Sequence, residues 1–362
     1  MHLDLSSVLP SYYDDNENST YEWSDWLSFG KWGTHIKRSS KSPDSHLAKI
    51  STDEFIIKGS YTDTASKIQI RALLHTENTN VTPSIRQFII SYKDNTPRLK
   101  SIEIPSNKII DVPSYSQYIR DKSIGGVICS PTSITMLLNR RNENLIVEET
   151  AWSCFDYDYE AFGNWLFNVA FASSLGYESF VEYGNLKSLK REIYSEYPVA
   201  VSVKYTNDIN NLEYPYIENA PITTAGNILV VRGFEKKDGI DYVVVNDPAG
   251  KSNESVTRRY KLSEFESAWH RGSNIMYIIH DKEVEINNNR IEASLELKNN
   301  KENLYSVLVN DTYLDLSSDF VKTILITYDN GLTFEYLVPY NNHYLALENK
   351  NKCVIYIIGS DG

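Results

Sequence analysis

The chain has 362 residues, 41% of them hydrophobic, which suffices for sizeable cores and excludes wholesale disorder; the length fits two or three domains. Thirty-six basic against 48 acidic side chains give a net charge of −12, with no Lys/Arg-rich block, so nucleic acid and anionic membrane surfaces are excluded as partners. Three cysteines (Cys129, Cys154, Cys353) without a CxxC pair suggest neither a disulfide framework nor a cysteine-based zinc site. No segment reaches the apolar length of a membrane span, and the N-terminus has no basic stretch followed by an apolar run. The expected location is therefore the cytoplasm, or outside the cell if a signal peptide has been removed.

Residues 1–22 are polar, and the Asp14–Asn18 cluster lacks the spacing of a calcium loop, so this segment is expected to be a loosely held, solvated tail. Residues 23–104 read as short strands separated by Gly, Asn, Asp and Pro, with Ile68–Leu73 and Ile85–Ile90 as candidates, in a small sandwich-like β domain. The abundance of tyrosine, 26 in all, favours strands generally. Pro97, Pro105 and Pro113 mark the passage to a region, 105–282, where the period changes. Helices are expected at Pro131–Asn139, Glu160–Leu175 and Leu186–Glu196, followed by apolar strands at Val199–Val203, Ile228–Val231 and Tyr242–Val245, an α+β arrangement. From 283 to 362 alternation returns: Ile291, Ala293, Leu295 and Leu297 share one face of an extended segment. Tyr305–Val309, Ile324–Tyr328, Phe334–Val338 and Val354–Ile358 read as strands, and Asp329-Asn330-Gly331 signals a hairpin in a third, all-β domain.

Cys129 draws attention first. Serine and proline follow it at 130 and 131, residues favoured at a helix start, and the positive end of a helix favours a thiolate. Gly125 and Gly126 allow close backbone approach, and Gln117 carries an amide able to donate to an oxyanion. A lone cysteine is otherwise as readily an inert buried thiol, the reading given to Cys154 beside Trp152 and Phe155. Asp247, in Asn-Asp-Pro-Ala-Gly, fits a turn after a strand. The helix bearing Trp165, Phe167 and Phe171 reads as core, and no phosphate-binding glycine pattern implies a nucleotide.

The order of segments then resembles the C39-like cysteine peptidases. DVPSYSQ (111–117) is similar to the start of that domain, GGVICSPTSITMLLN (125–139) to its nucleophile helix, and GNWLFNVAFASSLGYESFVEY (163–183) to the helix that follows. YPVAVS (197–202), GNILVVRGF (226–234), VVVNDPAG (243–250) and YKLSEFESAW (260–269) continue the match. Phe29–Gly33 and Thr82–Arg86 resemble the sandwich that precedes the domain in some bacterial members. The resemblance implies a papain-like domain flanked by β-rich domains, with Cys129 as nucleophile, Gln117 as oxyanion donor and Asp247 orienting the general base. No cofactor or metal is implied. Where the family carries the base histidine, however, this chain has Asn227.

An amide accepts no proton near neutral pH, and loss of a base or acid from such a unit typically costs about 10²–10⁴ in rate. His270 and His280 lie outside the matched strand, and His2, His35, His46, His75 and His343 outside the domain, so all are expected to be surface or structural residues. Three readings of Asn227 follow: a pseudo-enzyme that keeps its cleft, an inactivated form of a histidine-bearing site, or a mechanism in which the substrate's amine is the base. By resemblance the substrate is a peptide or an acyl thioester whose carbonyl is attacked to give a Cys129 acyl-enzyme. The alternatives are a cytosolic acyltransferase with an amine acceptor or carrier protein as partner, of the closthioamide amide-forming type, and a non-catalytic peptide- or acyl-binding protein.

Overall fold

The computed structural model describes residues 2–10, 21–34, 36–59, 65, 67–76, 78–93, 107–286, 290–347 and 352–362. The Asp14–Asn18 cluster, His35, Pro97 and Pro105 lie outside the described residues. No described helix is long and apolar enough to cross a membrane.

The first region holds β1 (His2–Pro10), β2 (Tyr21–Trp23), β3 (Leu27–Lys31), β4 (Ser39–Ser40), β5 (Ala48–Ser51), β6 (Glu54–Ile57) and β7 (Lys67–Leu73). A five-stranded antiparallel sheet runs β2-β1-β3-β4 with β7 on the other edge of β1, and β5 and β6 form a separate hairpin. Two expectations fail here. The opening segment is no loose tail: β1 pairs with three other strands, because a ladder is made by main-chain groups that polar composition does not remove. Ile85–Ile90 is not a strand. It runs beside the domain that follows on side-chain bonds, with Arg86 Nη2 donating to the Tyr177 carbonyl (3.1 Å) and Ser91 Oγ accepting from the Tyr183 N–H (2.8 Å).

The central region contains β8 (Asn107–Ile109), α1 (Cys129–Asn139), α2 (Val147–Cys154), α3 (Trp165–Ser174), β9 (Tyr177–Tyr183), α4 (Leu186–Tyr194), β10 (Val199–Tyr205), β11 (Thr224–Lys237), β12 (Ile240–Asn246), β13 (Thr257–Lys261), α5 (Leu262–Arg271) and β14 (Ile275–Lys282). Seven strands form one sheet in the order β13-β12-β11-β10-β14-β9, with β8 against β11. The expected helices and apolar strands are all present, mostly shifted by a few residues at their ends. Continuous apolar runs such as Val199–Val203 and Ile228–Val231 are buried on both faces, with α1 and α3 among the helices that share their core. Gly233 lies where β8 crosses β11; a Cβ there would meet the Lys108 carbonyl at 2.1 Å.

The last region has β15 (Ala293–Asn299), β16 (Leu304–Val309), β17 (Thr312–Tyr313), β18 (Val321–Thr327), β19 (Glu335–Tyr336), β20 (Leu345–Ala346) and β21 (Val354–Gly359), in sheets of four and three strands. Val307, Leu316, Ile324 and Leu345 form a core between them. Asn330 (φ 58°) and Gly331 (φ 88°) make the expected tight reversal between β18 and β19, which is only two residues long rather than Phe334–Val338. The alternating Leu295 and Leu297 sit on a strand as expected, yet both are exposed.

Neither flanking region stands apart from the central one. Ile146 of the central region shares a core with Leu325 and Ile358, and Tyr336 donates to the buried Glu148 at the start of α2 (2.5 Å). From the other side Arg38 is driven under the C-terminus of α2, donating to the Trp152 carbonyl (2.5 Å), where a cation suits the helix dipole. The fully buried Asp156 collects the N–H groups of Ser40 (3.0 Å), Asp158 (3.2 Å) and Tyr159 (3.2 Å) and the Asn164 amide (2.9 Å), tying β4 to the cap of α3. Replacing Asp156 with Ala orphans these donors and is expected to cost about 3 kcal/mol in urea unfolding. Lys41→Ala, which removes only the exposed Lys41–Asp158 pair, is expected to cost less than about 0.5 kcal/mol.

Candidate active site

Helix α1 begins at Cys129, two residues before the proline. Its cap residue Ile128 offers no side-chain bond, and Ser130 is spent elsewhere, on the Tyr277 hydroxyl (2.9 Å). The helix is pinned to β11 through one residue: Ser133 Oγ donates to the Ile228 carbonyl (3.0 Å), and the Ile228 N–H points at the Cys129 sulfur. Asn227 therefore precedes, along β11, the residue that faces Cys129, and lies opposite Val203 of β10.

Asp247 follows the end of β12 and is fully buried. Its Oδ1 accepts from the Asn227 amide (3.0 Å) and the Ala249 N–H (3.0 Å). Its Oδ2 accepts from the hydroxyls of Tyr205 (2.7 Å) and Tyr260 (2.8 Å). The Asn227 amide also donates to the Tyr205 hydroxyl (3.2 Å). Four donors thus satisfy one buried carboxylate, as a charge removed from water requires. Burial, reinforced by Asp247, pushes both tyrosines well above their ordinary range, so they stay protonated as donors.

Gln117 opens a 3₁₀ turn, 117–119, capped by the Ser116 hydroxyl. The turn is sewn to the Asp247 loop: Gln117 N–H donates to the Pro248 carbonyl (2.9 Å), Ser116 N–H to Asn253 Oδ1 (2.8 Å), and Ser116 Oγ to the Gly250 carbonyl. Gly125 is required on the return, since a Cβ would lie 2.8 Å from the Gln117 carbonyl. Gln117 is buried, and its Oε1 meets no donor among the described residues. Cys129, Asn227, Asp247 and Gln117 are thus brought together by α1, β11, the β12–β13 loop and the turn before α1.

The helix start does not win the thiol over to the thiolate. Burial pushes the Cys129 thiol up, and the Asp247 charge adds to this; the N–H groups of Ile228, Ser130 and Cys129 pull less strongly the other way. The residue itself is half-buried. Along the chain near Cys129 and Asn227, a Cβ on Gly126 or Gly226 would meet no atom within 4 Å, and Tyr118, Ile119 and Val127 are exposed.

The two histidines of the central region, His270 and His280, bond to other side chains. His280 is clasped between Glu192 (2.8 Å) and Glu178 (2.8 Å), which hold its pKa up, and His270 bonds to Asn274 (3.1 Å). Cys154 is a buried core thiol as expected, its pKa pushed up to about 12 by burial. Tyr205 and Tyr260 are the residues that reasoning from sequence passed over; Tyr205 ends an apolar strand, Tyr260 lies in the charged strand TRRYK, and nothing in their local pattern marks them.

Residues 109–276 match the sequence model described as the Peptidase_C39 like family. The match covers less than half of the chain and supports a C39-like cysteine peptidase family for that segment. No curated protein matches the chain. Among solved structures, similarity extends to a double glycine motif protease from an AMS/PCAT transporter in complex with the leader peptide (18% identity, TM-score 0.32, covering 48% of this chain and 93% of that one). It also extends to a putative C39-like peptidase from Bacillus anthracis (16% identity, TM-score 0.37, 49% and 100%). A third is a digestive procathepsin L 3 of the Tenebrio molitor larval midgut (13% identity, TM-score 0.35, 51% and 73%).

Because the thiol is raised, alkylation of Cys129 by iodoacetamide is expected to be slow at pH 7. Its rate should still be climbing above pH 9, with no plateau near neutrality. Peptide-level mass spectrometry across pH 6–10 checks this; a rate already maximal at pH 7 would mean a stabilised thiolate.

Proposed function

We propose that the C39-like domain is a pseudo-peptidase: it holds a peptide in the groove beside Cys129 and does not cleave it. One observation carries the reading. Asn227 donates to Asp247 through its amide, reproducing the half of an imidazole that faces the orienting carboxylate, and offers Cys129 no proton acceptor. A thiol raised by burial has no partner to take its proton, and no acid stands ready for a leaving amine. Gln117 would still donate to a bound carbonyl, and the exposed Tyr118, Ile119 and Val127 suit apolar side chains of an extended ligand. Retention of the whole Asp247 hydrogen-bond set supports a groove kept in shape for binding.

The test is Asn227→His. In a fluorogenic peptide pool the unaltered protein is expected to show no turnover above background, and the variant to gain 10²-fold or more, abolished again by Cys129→Ala. Peptide retention by the unaltered protein, read by mass spectrometry after gel filtration, should persist in Cys129→Ala. Turnover by the unaltered protein would overturn the reading. An acyl thioester offered with an amine tests transfer in the same assay, and amide product from the unaltered protein would establish an acyltransferase instead.

A further inference from the structure

Val307 of β16 packs into the core of the last region, so its neighbours Ser306 and Leu308 face the other side of the four-stranded sheet. Glu296 of β15 pairs with Ser306, and Tyr313 of β17 pairs with Leu308, which brings both to that same face. Lys298 sits where the β15–β16 register shifts, and such bulges re-aim side chains and gather beside binding sites. Asp315 follows β17, while His343 and Tyr344 precede β20, which pairs with the start of β16. Lys298, Ser306, Tyr313, Asp315, His343 and Tyr344 line a cleft of about 420 Å³, a volume within the range of small-molecule sites. None of these residues belongs to the C39-like segment.

The cleft holds a definite set of unmatched groups. Ser306 is only 8% exposed, yet its hydroxyl makes no hydrogen bond among the described residues, whereas a buried polar group ordinarily has a partner. Asp315 spends one oxygen on the Ser317 N–H (2.9 Å) and hydroxyl (2.6 Å), and its other oxygen accepts from no described residue. The His343 ring meets the edge of Tyr344 (6.3 Å between centroids) and keeps its nitrogens free of bonds to described residues. Lys298 is already engaged: its ammonium pairs with Glu296 (2.6 Å), donates to the Tyr313 hydroxyl (2.7 Å) and lies over the Tyr313 ring (4.5 Å). Tyr313 nevertheless stays 57% exposed, so ring surface remains for a ligand.

We propose that this cleft binds a neutral saccharide. Sugar hydroxyls both donate and accept, as the Ser306 hydroxyl, the free Asp315 oxygen and the His343 ring together require. The C–H face of a pyranose suits the electron-rich face of a tyrosine. An anionic ligand is disfavoured, because Glu296 neutralises the ammonium of the cleft and the chain as a whole carries −12. The site is independent of the Cys129 chemistry and of the reading given to it above.

Saturation-transfer NMR and titration calorimetry on the full chain test this, with maltotriose, cellotriose and triacetylchitotriose as probes at millimolar concentration. At least one trimer is expected to bind. Tyr313→Ala should weaken it by about tenfold or more, while Tyr313→Phe, which keeps the ring, should stay within about threefold. Ser306→Ala is expected to weaken it several-fold with an unchanged unfolding midpoint. Binding of a trimer without binding of glucose or N-acetylglucosamine would mark a sugar chain as the source, and binding of the monosaccharide a free sugar; both support the proposal. No binding of any probe, or affinity unchanged in both Tyr313→Ala and Ser306→Ala, would overturn it. Tighter binding of a sulfated heparin disaccharide than of the neutral trimers would overturn the neutral class. Cys129→Ala is expected to bind the sugar as the unaltered protein does, which keeps this result separate from the peptide assay.

Discussion

Everything at this site depends on the docking of α1 against β11 through Ile228. Its carbonyl takes the Ser133 hydroxyl and its N–H faces the Cys129 sulfur, so helix and strand are keyed at one residue through both of its main-chain polar groups. The sheet supplies the other half. Asn227 precedes that key, and the register of β11 on β12 delivers Asp247 beside it at the strand's end. A slip of one residue in either pairing would turn Asn227 away from the carboxylate, because alternate residues of a strand face opposite sides.

Around that key the Asn227 amide meets one buried carboxylate. Asp247 retains a full complement of donors, and the turn that carries Gln117 is bonded to the same loop. At residue 227 a carboxamide makes the inward hydrogen bond to Asp247. The result is an electrostatic balance with no poised proton: a neutral sulfur, a satisfied carboxylate, and two tyrosines held in their protonated form.

Much of this was legible from residue types alone. Continuous apolar runs named the central strands, Asn-Gly named the β18–β19 reversal, and the paired glycines with Ser-Pro named the loop and helix of Cys129. What escaped depends on contacts far apart in the chain. Tyr205 and Tyr260 become ligands of Asp247 only once β10 and β13 flank β11 and β12. The extended piece around Arg86–Ser91 carries an apolar alternation, yet its bonds are made by side chains along β9, so no ladder forms. For β1 the opposite holds, since a serine-diluted segment is recruited by neighbours that satisfy its main chain. The thiolate expectation failed because local dipole and burial compete, and only the packed structure tells which is larger.

The shared core at α2 reaches beyond this chemistry. Ile146, Leu325 and Ile358 lie in one apolar cluster, while Arg38 plugs the helix's far end from the opposite flank. The boundary drawn by family likeness therefore does not coincide with a boundary of cooperativity. Trimming the chain to residues 109–276 would bare a face of α2 and strand the Glu148 and Glu149 carboxylates that Tyr336 and Arg290 now engage. In this molecule the piece that family likeness picks out is smaller than the piece that must hold together as a body.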